Sequence, residues 1–167
     1  MKNIILVGMP GSGKSTLGIL LAKKIHYGYI DSDSVIVALE GKLLPDLIEE
    51  KGNDGFLKLE ARVNSSITAS RCVIATGGSA IYSEDVIEKM KENGIVVYLK
   101  ISYEEVERRV GDLKKRGVVL KEGYTLKDLY DERAPLYEKH ADYIVELDVN
   151  SVEENAEKIR LAISDEI

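Results

Sequence analysis

The chain has 167 residues, 44% hydrophobic and 31% charged, enough for one globular domain and too ordinary for a disordered tail or a collagen-like repeat. Twenty-three Lys and Arg stand against 29 Asp and Glu, and the formal net charge of −6 argues against a dedicated nucleic-acid binder while leaving room for a small anionic ligand held by local charge. One cysteine, Cys72, and two histidines exclude an intrachain disulfide and an ordinary structural zinc site, which fits a reducing, cytoplasmic setting.

Met1-Lys2-Asn3 leads straight into Ile4-Ile5-Leu6-Val7, an apolar run too short for a signal segment or a membrane span. It opens a series of five predicted strands: Ile4–Gly8, Tyr29–Asp31, Cys72–Thr76, Val96–Lys100 and Tyr143–Leu147. Their apolar runs are continuous, as strands of a parallel sheet covered on both faces require, and the amphipathic segments between them read as the covering helices. The prediction is an α/β, three-layer fold in a single domain spanning 1–167.

Directly after the first strand, Gly8-Met9-Pro10-Gly11-Ser12-Gly13-Lys14-Ser15 fits G-x-x-x-x-G-K-[ST] at every fixed position and opens a predicted helix, Lys14–Ile25. Glycines let such a loop close around phosphate oxygens with its amides pointing inward, and the helix N-terminus adds partial positive charge. Gly11, Ser12, Gly13, Lys14, Ser15 and Thr16 are therefore expected to hold a nucleoside triphosphate. Lys14 is assigned to the β and γ phosphates, and the Ser15 hydroxyl to Mg2+. No Asn-Lys-x-Asp stretch of the kind that reads guanine occurs, which favours ATP.

The second strand ends on Asp31-Ser32-Asp33, two carboxylates at the sheet edge where ligands collect. One is placed to serve Mg2+ and the other to orient or deprotonate an attacking hydroxyl, while a helix N-cap is the competing role. Helix is expected over Asp54–Ala69. Thr76-Gly77-Gly78-Ser79 after the third strand gives a backbone that a substrate can approach, or a plain tight turn. Ser83, Ser102 and Ser151 precede acidic residues and mark further helix starts. Gly111–Gly123 carries Lys114-Lys115-Arg116 and reads as a mobile insertion or a solvated loop. The last long helix, Leu126–Lys139, contains Pro135, a place to bend or break, and Tyr137 stands one turn after Arg133, placed either to steady it or simply to pack.

Together these residues resemble the shikimate kinases, small kinases that phosphorylate a hydroxyl of a carboxylated cyclic polyol. The similarity runs in order along nearly the whole chain. The resemblance implies ATP-dependent, Mg2+-requiring conversion of shikimate to 3-phosphoshikimate by a monomer, with no nucleic-acid or membrane partner. It implies a five-stranded parallel sheet with helices on both faces, a substrate-binding helical segment near 32–61, and a lid at about 110–123. It assigns Asp31 to the metal and Asp33 to substrate hydroxyls, with Asp33 as base. Glu60, Gly77, Gly78 and Ser79 fall in its substrate motifs, Arg109 on the adenine side, Arg116 in the lid, and Arg133 on the substrate carboxylate. Three positions depart from the pattern: Leu57 where the family has arginine in F-R-x-x-E, Ser79 in place of a third glycine, and Arg116-Gly117-Val118-Val119 in place of R-P-L-L. With Leu57 in the substrate site, Arg133 is left as the carboxylate's one arginine, and Lys58, about 100° further round the helix, is a poor substitute. Those departures keep two alternatives in view, a kinase for another small hydroxylated metabolite and a non-catalytic nucleotide-binding relative.

Overall fold

A computed structural model describes residues 2–148 and 151–167. Five strands, β1 (Asn3–Val7), β2 (Gly28–Asp31), β3 (Cys72–Ala75), β4 (Gly94–Lys100) and β5 (Tyr143–Glu146), form one parallel sheet in the order β2-β3-β1-β4-β5. β1 lies at the centre, and all five of its residues are buried. Its side chains alternate between faces as the pleat requires. Ile4 and Leu6 pack with Leu17 and Leu21 of helix α1 (Lys14–Ile25) and with Ala156 and Ile159 of α7 (Val152–Ala162). Ile5 and Val7 pack on the opposite face with Ile87 of α4 (Glu84–Lys91), Val106 of α5 (Tyr103–Val110) and Tyr137 of α6 (Leu126–His140). Each such aliphatic side chain contributes about 1.5–3 kcal/mol by leaving water. This two-sided burial is why the strands read as continuous apolar runs.

The predicted strands fall in place within one or two residues. The helix expected over Asp54–Ala69 is the second half of a longer one, α3 (Leu44–Ser66), which starts with Pro45 in its first turn and kinks at Gly52, where φ is 69°. A short helix, α2 (Ser32–Glu40), precedes it. Both pack around a third cluster, formed by Ile36, Leu47, Phe56, Leu59, Val63 and Val119. Pro135 does not break α6, which runs unbroken to His140. Its start is fixed by a capping box that the sequence reading did not name, with the Thr125 hydroxyl accepting from the Asp128 amide and Asp128 accepting from Thr125. Ser102 and Ser151 cap their helices as expected, whereas Ser83 makes no side-chain cap. Cys72 is half-buried at the first position of β3, beside Gly28, rather than in the core.

Segment 111–123 lies against the α2–α3 region. Val119 is buried in the third cluster, Asn53 Nδ2 donates to the Leu120 carbonyl at 2.9 Å, and a side chain on Gly117 would collide with Leu44 and Pro45. The rest of the segment, 111–112, 114–116 and 121–123, is exposed, so 117–120 is the stretch tied to this region.

Candidate active site

At the carboxyl ends of β1, β2 and β3, a cleft of about 400 Å³ is lined by residues from the loop 10–16, from α2, α3 and α6, and from segment 111–123. The loop owes its shape to glycines: Gly8, Gly11 and Gly13 all have φ between 79° and 152°, a region that side chains rarely enter. Gly13 caps α1 without a side-chain hydrogen bond, and the first turn of α1 carries no acidic residue. The amides there are left to an anion. Lys14 Nζ donates to the carbonyls of Gly8 at 2.8 Å and Met9 at 3.0 Å, so its charge is held over the loop. Burial lowers its pKa to about 8, a shift partly offset by Asp33.

Ser15 Oγ donates to Asp31 Oδ2 at 2.8 Å, joining the end of the phosphate loop to the end of β2. Asp31 Oδ1 accepts from the Ser34 amide at 3.1 Å, so the same carboxylate also caps α2. The two roles weighed for this aspartate are compatible, one on each oxygen. Ser15 and Asp31 present hard oxygens side by side, and this donor set suits Mg2+, which takes few protein ligands and completes its shell with phosphate and water. Among the described residues no cluster of three or more His, Cys, Asp or Glu forms a metal site of its own.

Asp33, in the first turn of α2, faces Lys14 across the cleft, and burial, aided by Asp31, raises its pKa to about 6. Glu60 of α3 is 2% exposed, and burial raises its pKa to about 7. Its Oε2 accepts from the Ser79 hydroxyl at 2.7 Å. A side chain on Gly77 would collide with Glu60 Oε1 and come within 2.7 Å of Asp33 Oδ1. Only glycine leaves room for the two carboxylates there. Gly78 has a parallel constraint, since a side chain on it would meet Arg133 Nη1 at 2.8 Å.

Arg133 is 1% exposed, which for an arginine requires strong local support. Its Nε donates to the Tyr82 hydroxyl at 3.2 Å, Nη2 donates to the Val119 carbonyl at 3.0 Å, and the guanidinium lies 5.2 Å from the Tyr82 ring centre. Tyr82 shares this supporting part with Tyr137, whose hydroxyl lies within reach of the guanidinium while donating to the Gly78 carbonyl at 2.6 Å, and whose ring stacks on Tyr98. Arg109 pairs with Glu105 and donates to the Gly11 carbonyl at 3.3 Å, and Arg116 donates to the Arg109 carbonyl at 3.0 Å. Both arginines line the cleft beside the phosphate loop.

The structure brings together nearly every residue expected at the site, and one, Leu57, stands apart. Ser12 is fully buried within the loop, its amide donating to the Met9 carbonyl at 3.1 Å and its hydroxyl accepting from Lys14 Nζ at 3.5 Å. Leu57 does not line the cleft. Phe56 and Glu60, one helical turn apart, take the cleft side of α3, and Leu57 turns to a separate chamber of about 230 Å³ beyond Val119 and Tyr82. Lys58 is exposed, and Arg62 donates to Glu40 Oε1 at 2.9 Å, so neither replaces the arginine missing at position 57. Tyr82 and the Val119 carbonyl were missed because no local pattern marks them. They matter only through the tertiary position of Arg133.

A parallel sheet with a phosphate loop at the end of its central strand, opposed by a half-buried and a buried carboxylate and by a buried arginine, defines a P-loop phosphotransferase acting on a small molecule. The family model for shikimate kinase matches residues 10–164. A shikimate kinase of Vibrio parahaemolyticus is 37% identical over 161 residues, covering 95% of this chain and 94% of that protein, and one of Caldanaerobacter subterraneus is 33% identical over 162 residues with the same coverage. The structure of shikimate kinase from Acinetobacter baumannii in complex with shikimate superposes with a TM-score of 0.89 at 35% identity, covering 100% of this chain and 96% of that one. That of Aquifex aeolicus gives 0.84 at 32% identity, with 97% and 96% covered. The chain belongs to the shikimate kinase family, ATP-using kinases that transfer phosphate to a hydroxyl of shikimate.

Proposed function

We propose that this chain phosphorylates shikimate to 3-phosphoshikimate, with Arg133 as the single arginine that grips the acceptor's carboxylate and Asp33 as the base on its hydroxyl. The observation that carries this reading is Arg133 itself, a buried guanidinium held by Tyr82 and Val119 with Nη1 over Gly78, facing the carboxylates of the same cleft. A guanidinium offers a carboxylate paired donors in a fixed plane. Family membership supports the choice of acceptor.

In this mechanism the loop amides and Lys14 hold the phosphates of ATP, with Arg109 on the adenine side. Ser15 and Asp31 would hold Mg2+, which when bound neutralises phosphate charge. Asp33 takes the proton of the attacking hydroxyl as the new bond to the γ-phosphorus forms and the bond to the β-phosphate oxygen breaks. Its pKa near 6 leaves it ionised at neutral pH yet basic enough to accept. Lys14 and Arg116 stabilise the charge that develops on the transferred group. Segment 110–123 acts as the lid and 32–61 as the acceptor-binding segment within one domain. We further take the enzyme to act as a cytoplasmic monomer. Among the described residues no helix is long and apolar enough to cross a membrane.

Coupled ADP release from purified protein, with ATP, Mg2+ and either shikimate or a panel of small polyols and hydroxy acids, tests this reading. Turnover dependent on shikimate is expected. Turnover with another compound alone would assign a different acceptor, and none with any would leave a nucleotide-binding protein without transferase activity.

A further inference from the structure

We propose that Ser79 is a positioning residue for phosphotransfer, its hydroxyl orienting the Glu60 carboxylate beside Asp33 in the acceptor half of the cleft. The inference rests on the acceptor site proposed above and deepens it.

Glu60 is among the most buried charged residues described, at 2% exposure, and no ion pair reaches it among the described residues. The groups that face it are Lys14 from α1, Asp33 from α2, Arg133 and Tyr137 from α6 and Ser79 from the short 3-10 turn Gly78–Tyr82. Only Ser79 touches it with a hydrogen bond, at 2.7 Å to Oε2. The other oxygen, Oε1, is buried without a partner and lies against Gly77 and Asp33. Ser79 is itself 5% exposed, so the bond is shielded from water, where a donor to a charged acceptor counts most. Without that hydroxyl, the carboxylate would stand in a dry site with Asp33 as its near neighbour, and protonation would be its relief. Burial pushes Glu60 up and the Ser79 bond pulls it partway back, to about 7. Ser79 therefore sets both where Glu60 points and whether it is charged at neutral pH.

The test is the titration of Glu60 followed by 13C NMR of protein carrying glutamate labelled at the side-chain carboxyl, with the signal assigned by its absence in Glu60→Gln. Wild type is expected to titrate near pH 7, and Ser79→Ala to titrate about one to two pH units higher. In the same variant the acid limb of kcat/KM for shikimate should move upward with the titration, while KM for ATP stays within about threefold of wild type. Ser79→Thr, which retains the hydroxyl, should restore both. An unchanged Glu60 midpoint in Ser79→Ala, or a uniform loss of activity with no movement of the acid limb, would overturn the proposal. Should Ser79→Ala fail to melt cooperatively, Ser79→Thr decides: a midpoint near that of wild type supports the role, and one displaced by more than about one unit overturns it. The titration needs no acceptor, so a wild type that leaves shikimate untouched would refute the proposed function without touching this result.

Discussion

The two halves of the cleft are built in different ways. The donor half is nearly all backbone from one stretch, residues 8–16, where three glycines with positive φ and an uncapped helix end create an anion site before any other element arrives. The acceptor half is mostly side chain, drawn from α2, α3, the 3-10 turn and α6, and two of its charged groups, Glu60 and Arg133, are buried so deeply that each depends on a hydrogen bond from another element. A phosphate is bound by shape and amides that many sequences can supply. A particular polyol is recognised by carboxylates and a guanidinium whose positions only the completed fold can hold.

If the acceptor half carries the proton transfer, Asp33→Asn should cause the largest loss, about 10²- to 10⁴-fold in kcat, with KM for ATP nearly unchanged. Steady-state kinetics on folded variant would read this, and a loss below tenfold would remove Asp33 as base. Lys14→Met strikes the donor half, and a fall of about 10²- to 10³-fold in kcat is expected, since it removes one preorganised donor from the developing charge. Here the acceptor's dissociation constant, measured by calorimetry, should change little.

Arg133→Lys tests what the acceptor half reads. A lysine cannot keep the bonds to Tyr82 and Val119 together with a fork toward the substrate, so KM for shikimate should rise about 10- to 100-fold. An equal rise in KM for ATP would show that the two halves are not separate. The smallest effect concerns stability. The folded pKa of Glu60, about 7, lies above its unfolded value, so the folded state gains from the bound proton at low pH and loses that gain as pH rises through 7. Glu60→Gln should therefore raise Tm by a few °C at pH 8 and by much less at pH 5, the reverse of a stabilising ion pair.

The same division decides what could be read from the sequence. The strands, α1, the phosphate loop and the glycine pair at 77–78 announce themselves, because periodicity and local backbone demands leave their marks on adjacent residues. Asp31 and Asp33 could be placed at the edge of the sheet but not apportioned, and it is the Ser34 amide and Ser15 hydroxyl that show both oxygens of Asp31 in use. Leu57 reads as part of the acceptor site because of where it falls in a motif. The helix turns it to the chamber beyond Val119, since only residues one turn apart share the face that Phe56 and Glu60 occupy. Tyr82, the Val119 carbonyl and the Ser79–Glu60 bond were out of reach. Each couples segments that are distant in sequence, and no spacing rule joins them.

In the proposed function the acceptor half recognises a carboxylate through one buried arginine, Arg133. The most direct measurement compares kcat/KM for shikimate with that for the same ring bearing a hydroxymethyl group in place of the carboxylate, on the wild-type protein. The neutral compound should be poorer by about 10- to 100-fold, and Arg133→Lys should narrow the gap. Equal use of the two compounds by the wild type would contradict that recognition.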